Sequence, residues 1–113
     1  MSTIFKKIID KEIKADIIYE DDKSLAFMDI NAVAPIHFLI IPKAEIATIN
    51  DINDDNKELI GHLFLVAKTI AKKYNIDKNG YRIVCNCNND AGQTVFHIHF
   101  HLLAGRKLLW PPG

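Results

Sequence analysis

Apolar residues along the chain alternate between two spacings. Ile4, Phe5, Ile8, Ile9 and Ile13 recur at helical intervals, predicting a first amphipathic helix over 4–13, with Ser2 or Thr3 placed to cap it. "ADIIYED" and "SLAFMDI" then read as two short strands around the polar "DDKS", a hairpin. "HFLIIPK" (37–43) is a continuous apolar run of buried-strand type that stops at Pro42, which has no amide to give a ladder. Residues 51–57 are polar and acidic. Beyond them Leu59, Leu63, Val66, Ile70 and Tyr74 define one face of a long helix, flanked by Ile60, Phe64, Ala67 and Ala71, with Asp55 and Glu58 spaced as a capping pair. "YRIVCNC" (81–87) reads as a fourth strand, "NNDAGQT" as a glycine-containing loop, and "FHIHFHLLA" (96–104) as a final strand before a tail ending in "WPPG". The order α, β, β, β, α, β, β predicts one α+β domain over 1–113, a five-stranded antiparallel sheet with two helices.

Composition narrows the classes. Fourteen Lys+Arg against fourteen Asp+Glu leave a formal net charge of zero, without the basic excess that drives binding to a nucleic-acid polymer. A single small anion needs only a local site and stays open. No apolar stretch approaches a membrane span. "MSTIFKKIIDKEIK" carries charge where an export signal needs an apolar core, so a cytoplasmic location is expected, with a nuclear one also open to a eukaryotic protein. Cys85 and Cys87, one residue apart, would share a strand face about 6.6 Å apart at Cα, poorly set for a mutual disulfide, and read as free thiols.

The chemistry concentrates in "GQTVFHIHFHLLAG" (92–105), where His97, His99 and His101 occupy alternate positions. On a strand these rings share one face, and Ile98, Phe100 and Leu102 share the other. Three readings follow. The rings are packing or edge residues, although adjacent imidazoles compete for protons and partners. They chelate zinc as an H-x-H pair completed by His37 or Cys85; the roughly 13 Å between the Cα atoms of His97 and His101 makes all three on one ion difficult. Or they act on phosphorus, one neutral ring offering a bare nitrogen as nucleophile while others donate to phosphoryl oxygens. The "AGQT" loop adds amides that can nest an anion, and the Thr94 hydroxyl. The phosphorus reading uses loop and histidines together.

"HIHFHLL" resembles the H-x-H-x-H-x-x motif of the histidine triad (HIT) superfamily. With "FMDINAVAPIHFLIIPK", the upstream "NCNNDAGQT" and the terminal "WPPG", the whole chain is similar to its histidine triad nucleotide-binding (Hint) branch. The resemblance implies a HIT-like fold whose two five-stranded sheets join across a homodimer. It implies hydrolysis of a purine nucleoside phosphoramidate or acyl adenylate to a nucleoside monophosphate such as AMP, with no cofactor and no metal. His99 aligns with the nucleophile that forms a nucleotidyl-histidine intermediate, its protonated nitrogen on the carbonyl of His97. His101 aligns with the phosphate-contacting ring, and His97 and His37 with supporting imidazoles. Thr94 stands where serine is more usual. Asp29 aligns with the carboxylate that takes the ribose hydroxyls; Ile4, Phe5, Ile8, Phe27, Ile30 and Leu39 match the base slot; Asn86, Gly92 and Gln93 match phosphate or leaving-group contacts. Trp110 of the tail is implied near the partner subunit's site. His62, on the long helix, reads as structural. Two other functions stay open: a nucleotide-binding or interaction protein with incidental turnover, and a zinc-binding module.

Overall fold

The structure, a computed structural model, describes residues 3–113; Ser2, one of the two candidate caps, lies outside the described residues. Thr3 caps helix α1 (Ile4–Ile9), its side chain accepting from the amide of Lys6 at 3.2 Å. The helix is shorter than the 4–13 pattern. Lys11 takes a left-handed φ of 62°, and the amides of Lys11 and Glu12 turn back to Ile8 and Lys7, a Schellman closure that satisfies the last carbonyls.

Five strands follow: β1 (Ile17–Glu20), β2 (Ser24–Met28), β3 (Ile36–Pro42), β4 (Arg82–Val84) and β5 (Phe100–Ala104). They form one sheet of order β1-β2-β3-β5-β4, each neighbouring pair antiparallel. Alternation sorts the central strands between two cores. Ala26, Phe38, Ile40, Phe100, Leu102 and Ala104 face helix α2 (Lys57–Lys73), meeting Leu63, Val66, Ala67, Ile70 and Ala71. Leu25, Phe27, Leu39 and Ile41 face the other way, onto Phe5 and Ile8 of α1. That is why β3 reads as an unbroken apolar run: both of its faces are covered.

Four expectations are corrected. Asp55 and Glu58 do not cap α2. Its N-cap is Asn56, which makes no side-chain cap bond; the Asn56 side chain turns back to hold the preceding turn, accepting from the amide of Asn53 at 2.8 Å. The capping box of the molecule lies earlier, where Thr48 and Asp51 exchange bonds around a 3-10 turn at Ile49–Asp51. The fourth strand ends at Val84, so neither cysteine is on it; Cys85 and Cys87 are half-buried and free. "NNDAGQT" holds a one-turn helix α3 (Asn88–Ala91), closed by Gly92 at φ 87°. The last strand is paired only from Phe100, so His97 and His99 lie on its unpaired approach, anchored by the Ile98 amide on the carbonyl of Ile46 at 2.6 Å. On α2, the Phe64 ring meets Phe100 at a tilt, 4.7 Å between centroids, yet stays exposed, as does Leu65.

Away from the cleft, Asp21 ties the β1–β2 turn to α2. Its carboxylate accepts from the Lys23 and Ser24 amides, the Ser24 hydroxyl, the Tyr19 hydroxyl and His62 Nε2, all within 2.8 Å. Burial pushes this carboxyl up, and the bonds from Tyr19, Lys23, His62 and Ser24 outweigh it and hold it far below the usual range. His62 is structural in this sense.

Candidate active site

The face of the sheet under α1 is not fully covered, and a cavity of about 350 Å³ opens there. Register explains what enters it. His101 sits opposite Leu39 across the β3–β5 ladder, and His37 two residues before Leu39 on β3, so all three share the α1 face. Leu39 with Phe27, Phe5, Ile8 and Ile4 makes the apolar walls, and Asp29, Ile30, Thr94, His99 and His101 also line the cavity. Phe5 is central: its ring meets Phe27 edge-on at 5.4 Å and His99 at 4.9 Å, so the six-residue helix both walls the slot and packs the imidazole.

Hydrogen bonds fix the proton on each ring. His97 is buried and its Nε2 donates to the carbonyl of Pro42 at 2.7 Å; it stands behind the site as a pin between strand ends. His99 Nδ1 lies 2.8 Å from the carbonyl of His97, which can only accept. The proton therefore sits on Nδ1, and Nε2 keeps its lone pair. The amide of Val33 donates to His37 Nδ1 at 3.1 Å, so the proton of His37 is on Nε2. That nitrogen faces His101 Nδ1 at 2.9 Å and Asp29 Oδ2 at 3.3 Å. His101 Nδ1 accepts, leaving an N–H on its Nε2. One ring is thus fixed as a lone-pair donor and its neighbour, 5.1 Å away between centroids, as a hydrogen-bond donor.

Burial keeps these rings neutral. Desolvation lowers the pKa of His37, His97 and His99 below the ordinary value, against smaller opposing effects of Asp29 on His37 and of the carbonyls on His97 and His99. His101 is pushed down to about 4 by burial, then by His99 and His37. At neutral pH the Nε2 of His99 is unprotonated and the cluster carries no mutual repulsion.

Other expected residues are placed differently. Gln93 is buried with its side chain committed: Oε1 accepts from the Asn88 amide at 2.8 Å, and Nε2 donates to Ala47 and Val95 carbonyls at 2.9 and 3.1 Å. The amides of Gly92 and Gln93 close helix α3 on Asn89 and Asn88, so these two members of the expected anion nest are spent on structure. Asn86 is half-buried and outside the cavity lining, while Trp110 is 82% exposed. Ile13, Lys14, Ala15 and Asp16, which no sequence pattern marks, also line the cavity, where the carbonyl of Asp16 accepts from the amide of Met28 beside Phe27. Their signal was absent, since the stretch reads simply as helix end and strand start.

The zinc reading takes a different form from H-x-H. Among the described residues, ligand-type atoms within 4.8 Å of one another come from Asp29, His37 and His101. The Val33 amide works against it, because it puts the His37 proton on the nitrogen that would have to bind the ion.

Comparison with known proteins adds a family frame. A model described as the HIT domain matches residues 10–108. A HIT-like protein of Synechococcus elongatus is 51% identical, over 98% of this chain and 96% of its own length. The solved structure of a HIT family hydrolase from Legionella pneumophila superposes with a TM-score of 0.97 at 50% identity, covering 99% of this chain and 100% of that one. A histidine triad nucleotide-binding protein from Candida albicans superposes with a TM-score of 0.81 at 37% identity, covering 89% of this chain and 73% of that one.

Proposed function

The chain belongs to the HIT domain family, and from that premise we propose that it is a hydrolase of the Hint type, acting on purine nucleoside phosphoramidates and acyl adenylates to release a nucleoside monophosphate such as AMP. The observation that carries this reading is the His99 Nδ1 bond to the carbonyl of His97, which directs a bare Nε2 into a cavity of nucleotide-compatible size. Its likeness to a HIT family hydrolase and to a histidine triad nucleotide-binding protein supports it.

The geometry suits a double displacement. The base lies against the apolar wall that Ile4, Phe5, Ile8, Phe27 and Leu39 make together, with the ribose hydroxyls donating to Asp29. Asp29 Oδ1 already accepts from the Asn31 amide at 2.8 Å and keeps a further lone pair. His99 Nε2 attacks phosphorus; an N–P bond forms as the bond to the leaving amine breaks, and that amine departs with a proton taken at Thr94 or from solvent. The imidazolium so formed keeps its Nδ1–H on the His97 carbonyl. His101 Nε2–H donates to a non-bridging oxygen as charge builds there. Water then attacks phosphorus, the P–N bond to His99 breaks, and the monophosphate leaves. His37 and His97 hold the working rings in place without touching substrate.

We also propose a homodimer, joined at the outer edge of β4 and the exposed Phe64 and Leu65 of α2, with the exposed Trp110 tail serving the partner's cleft. Sedimentation at micromolar concentration reads this directly.

Incubation of a fluorogenic adenosine phosphoramidate with wild type, His99→Ala and chelator-treated protein tests the reaction. Loss of turnover by at least about 10³-fold in the variant alone is expected. Loss on chelation, restored by zinc, would support the metal reading instead, and tight nucleotide binding without turnover the binding-protein reading.

A further inference from the structure

We propose that Arg106, outside the cavity, is a positioning residue: through Val33 and His37 its guanidinium determines which nitrogen of His101 faces the substrate. The chain leaves β5 at Gly105, with φ at 94°, where a Cβ would lie 2.8 Å from the Cβ of Pro35. The end of β5 is therefore pressed against the 31–35 loop. The next residue, Arg106, is exposed, and its Nη2 donates to the carbonyl of Val33 at 3.1 Å. The Val33 amide donates to His37 Nδ1 at 3.1 Å, and His37 Nε2 lies 2.9 Å from His101 Nδ1. An amide can only donate, so the Val33–His37 and His37–His101 contacts admit one proton arrangement, ending with N–H on His101 Nε2, and the Arg106 bond holds the Val33 residue where its amide meets His37.

Among the described residues, the other hydrogen bonds and packing contacts of that loop lie toward its ends. Asn31 is held by Asp29 Oδ1 at one end, and pairing resumes at Ile36 at the other; Val33 between them is 62% exposed. With the guanidinium gone, the amide of Val33 drifts and water meets His37 Nδ1. Water donates or accepts equally well, so both tautomers of His37 become populated. In the swapped one His101 carries its proton on Nδ1, and its Nε2 lone pair faces a phosphoryl oxygen. Asp29, His37 and His99 are the titratable groups that face His101.

The kinetic consequence rests on the proposed hydrolase reading; the tautomer does not. Arg106→Ala is expected to lower kcat for the phosphoramidate about fivefold with KM within about twofold, the scale of one hydrogen bond. Arg106→Lys restores most of it. In a His37→Phe background, Arg106→Ala costs less than about twofold, because the route it acts through is already cut. An equal factor in both backgrounds, or no effect in either, overturns the proposal. Long-range ¹H–¹⁵N spectra of substrate-free protein give an activity-independent reading. Wild type shows His101 protonated at Nε2, and Arg106→Ala shows a mixture. Unchanged histidine tautomers in the variant overturn the proposal. If wild type fails to turn over the phosphoramidate, the reaction is wrong while these spectra still decide the role of Arg106.

Discussion

Helix α2 lays 17 residues across one face of the sheet; α1 lays 6 across the other. The strands serve both faces with equal apolarity, Phe38 and Ile40 to one side, Leu39 and Ile41 to the other. The difference lies in the cover. Under α2 the side chains close into a continuous core from Ala26 to Ala104. Under α1 they leave a gap, and into that gap come His101 from β5 and His99 from its approach, with His37 buried behind His101. The comparison teaches that one face supplies stability and the other gives up packing for an accessible lone pair. It also explains why the cleft histidines are neutral: burial disfavours the charged form, and the nearby Asp29 carboxylate offsets that only in part.

The largest effect that separates the faces comes from the core side. Leu63→Ala, at a fully buried position on α2, is expected to cost about 3 kcal/mol of stability by denaturant melting while leaving kcat per folded molecule unchanged. A fall in kcat at a denaturant-free temperature well below melting would mean that the two faces are coupled. Next is Asp21→Ala, which removes the common acceptor for Tyr19, Ser24 and His62. It is expected to cost about 2 kcal/mol, with turnover again unaffected. A loss no greater than that of a surface carboxylate would show that the turn holds without its hub.

The smallest effect belongs to the cleft face. Its rings have folded pKa values below the ordinary 6.5. As pH falls below 6.5 the unfolded chain takes up protons that the folded chain refuses, so stability declines from there toward about 4, where His101 titrates. Urea midpoints measured between pH 7.5 and 5, above the carboxylate range, are expected to fall steadily. His97→Phe, which removes one such buried ring, is expected to flatten the slope; an unchanged slope would assign the acid sensitivity elsewhere.

The sheet was legible in the sequence because alternation and apolar runs are properties of β-strands that need no context: β2 and β3 fall inside "SLAFMDI" and the segment around "HFLIIPK". Ends were less legible. Nothing in the residue types says that Lys11 adopts a left-handed φ and stops α1, or that Asn56 rather than Asp55 precedes α2, since both depend on which backbone bonds the surroundings leave free. At the site, His99 and His101 reach one cavity, while His97, expected on the same face, turns behind it to the carbonyl of Pro42, and spacing did not show the partners of any of the three. His37 meets His101 across 64 residues of chain, and the Val33 amide that fixes its tautomer has no side-chain signal at all. Gln93 shows the converse case: a polar loop residue beside a candidate catalytic segment whose side chain is consumed by its own loop and by Ala47.

The proposed reaction requires His99 to become covalently bonded to phosphorus, and the stereochemical course of hydrolysis tests that most directly, even where the adduct never accumulates. With a substrate chiral at phosphorus through sulfur and oxygen isotopes, two successive in-line displacements, first by His99 and then by water, predict overall retention of configuration. Inversion would mean a single attack by water and would contradict the role assigned to the bare nitrogen of His99.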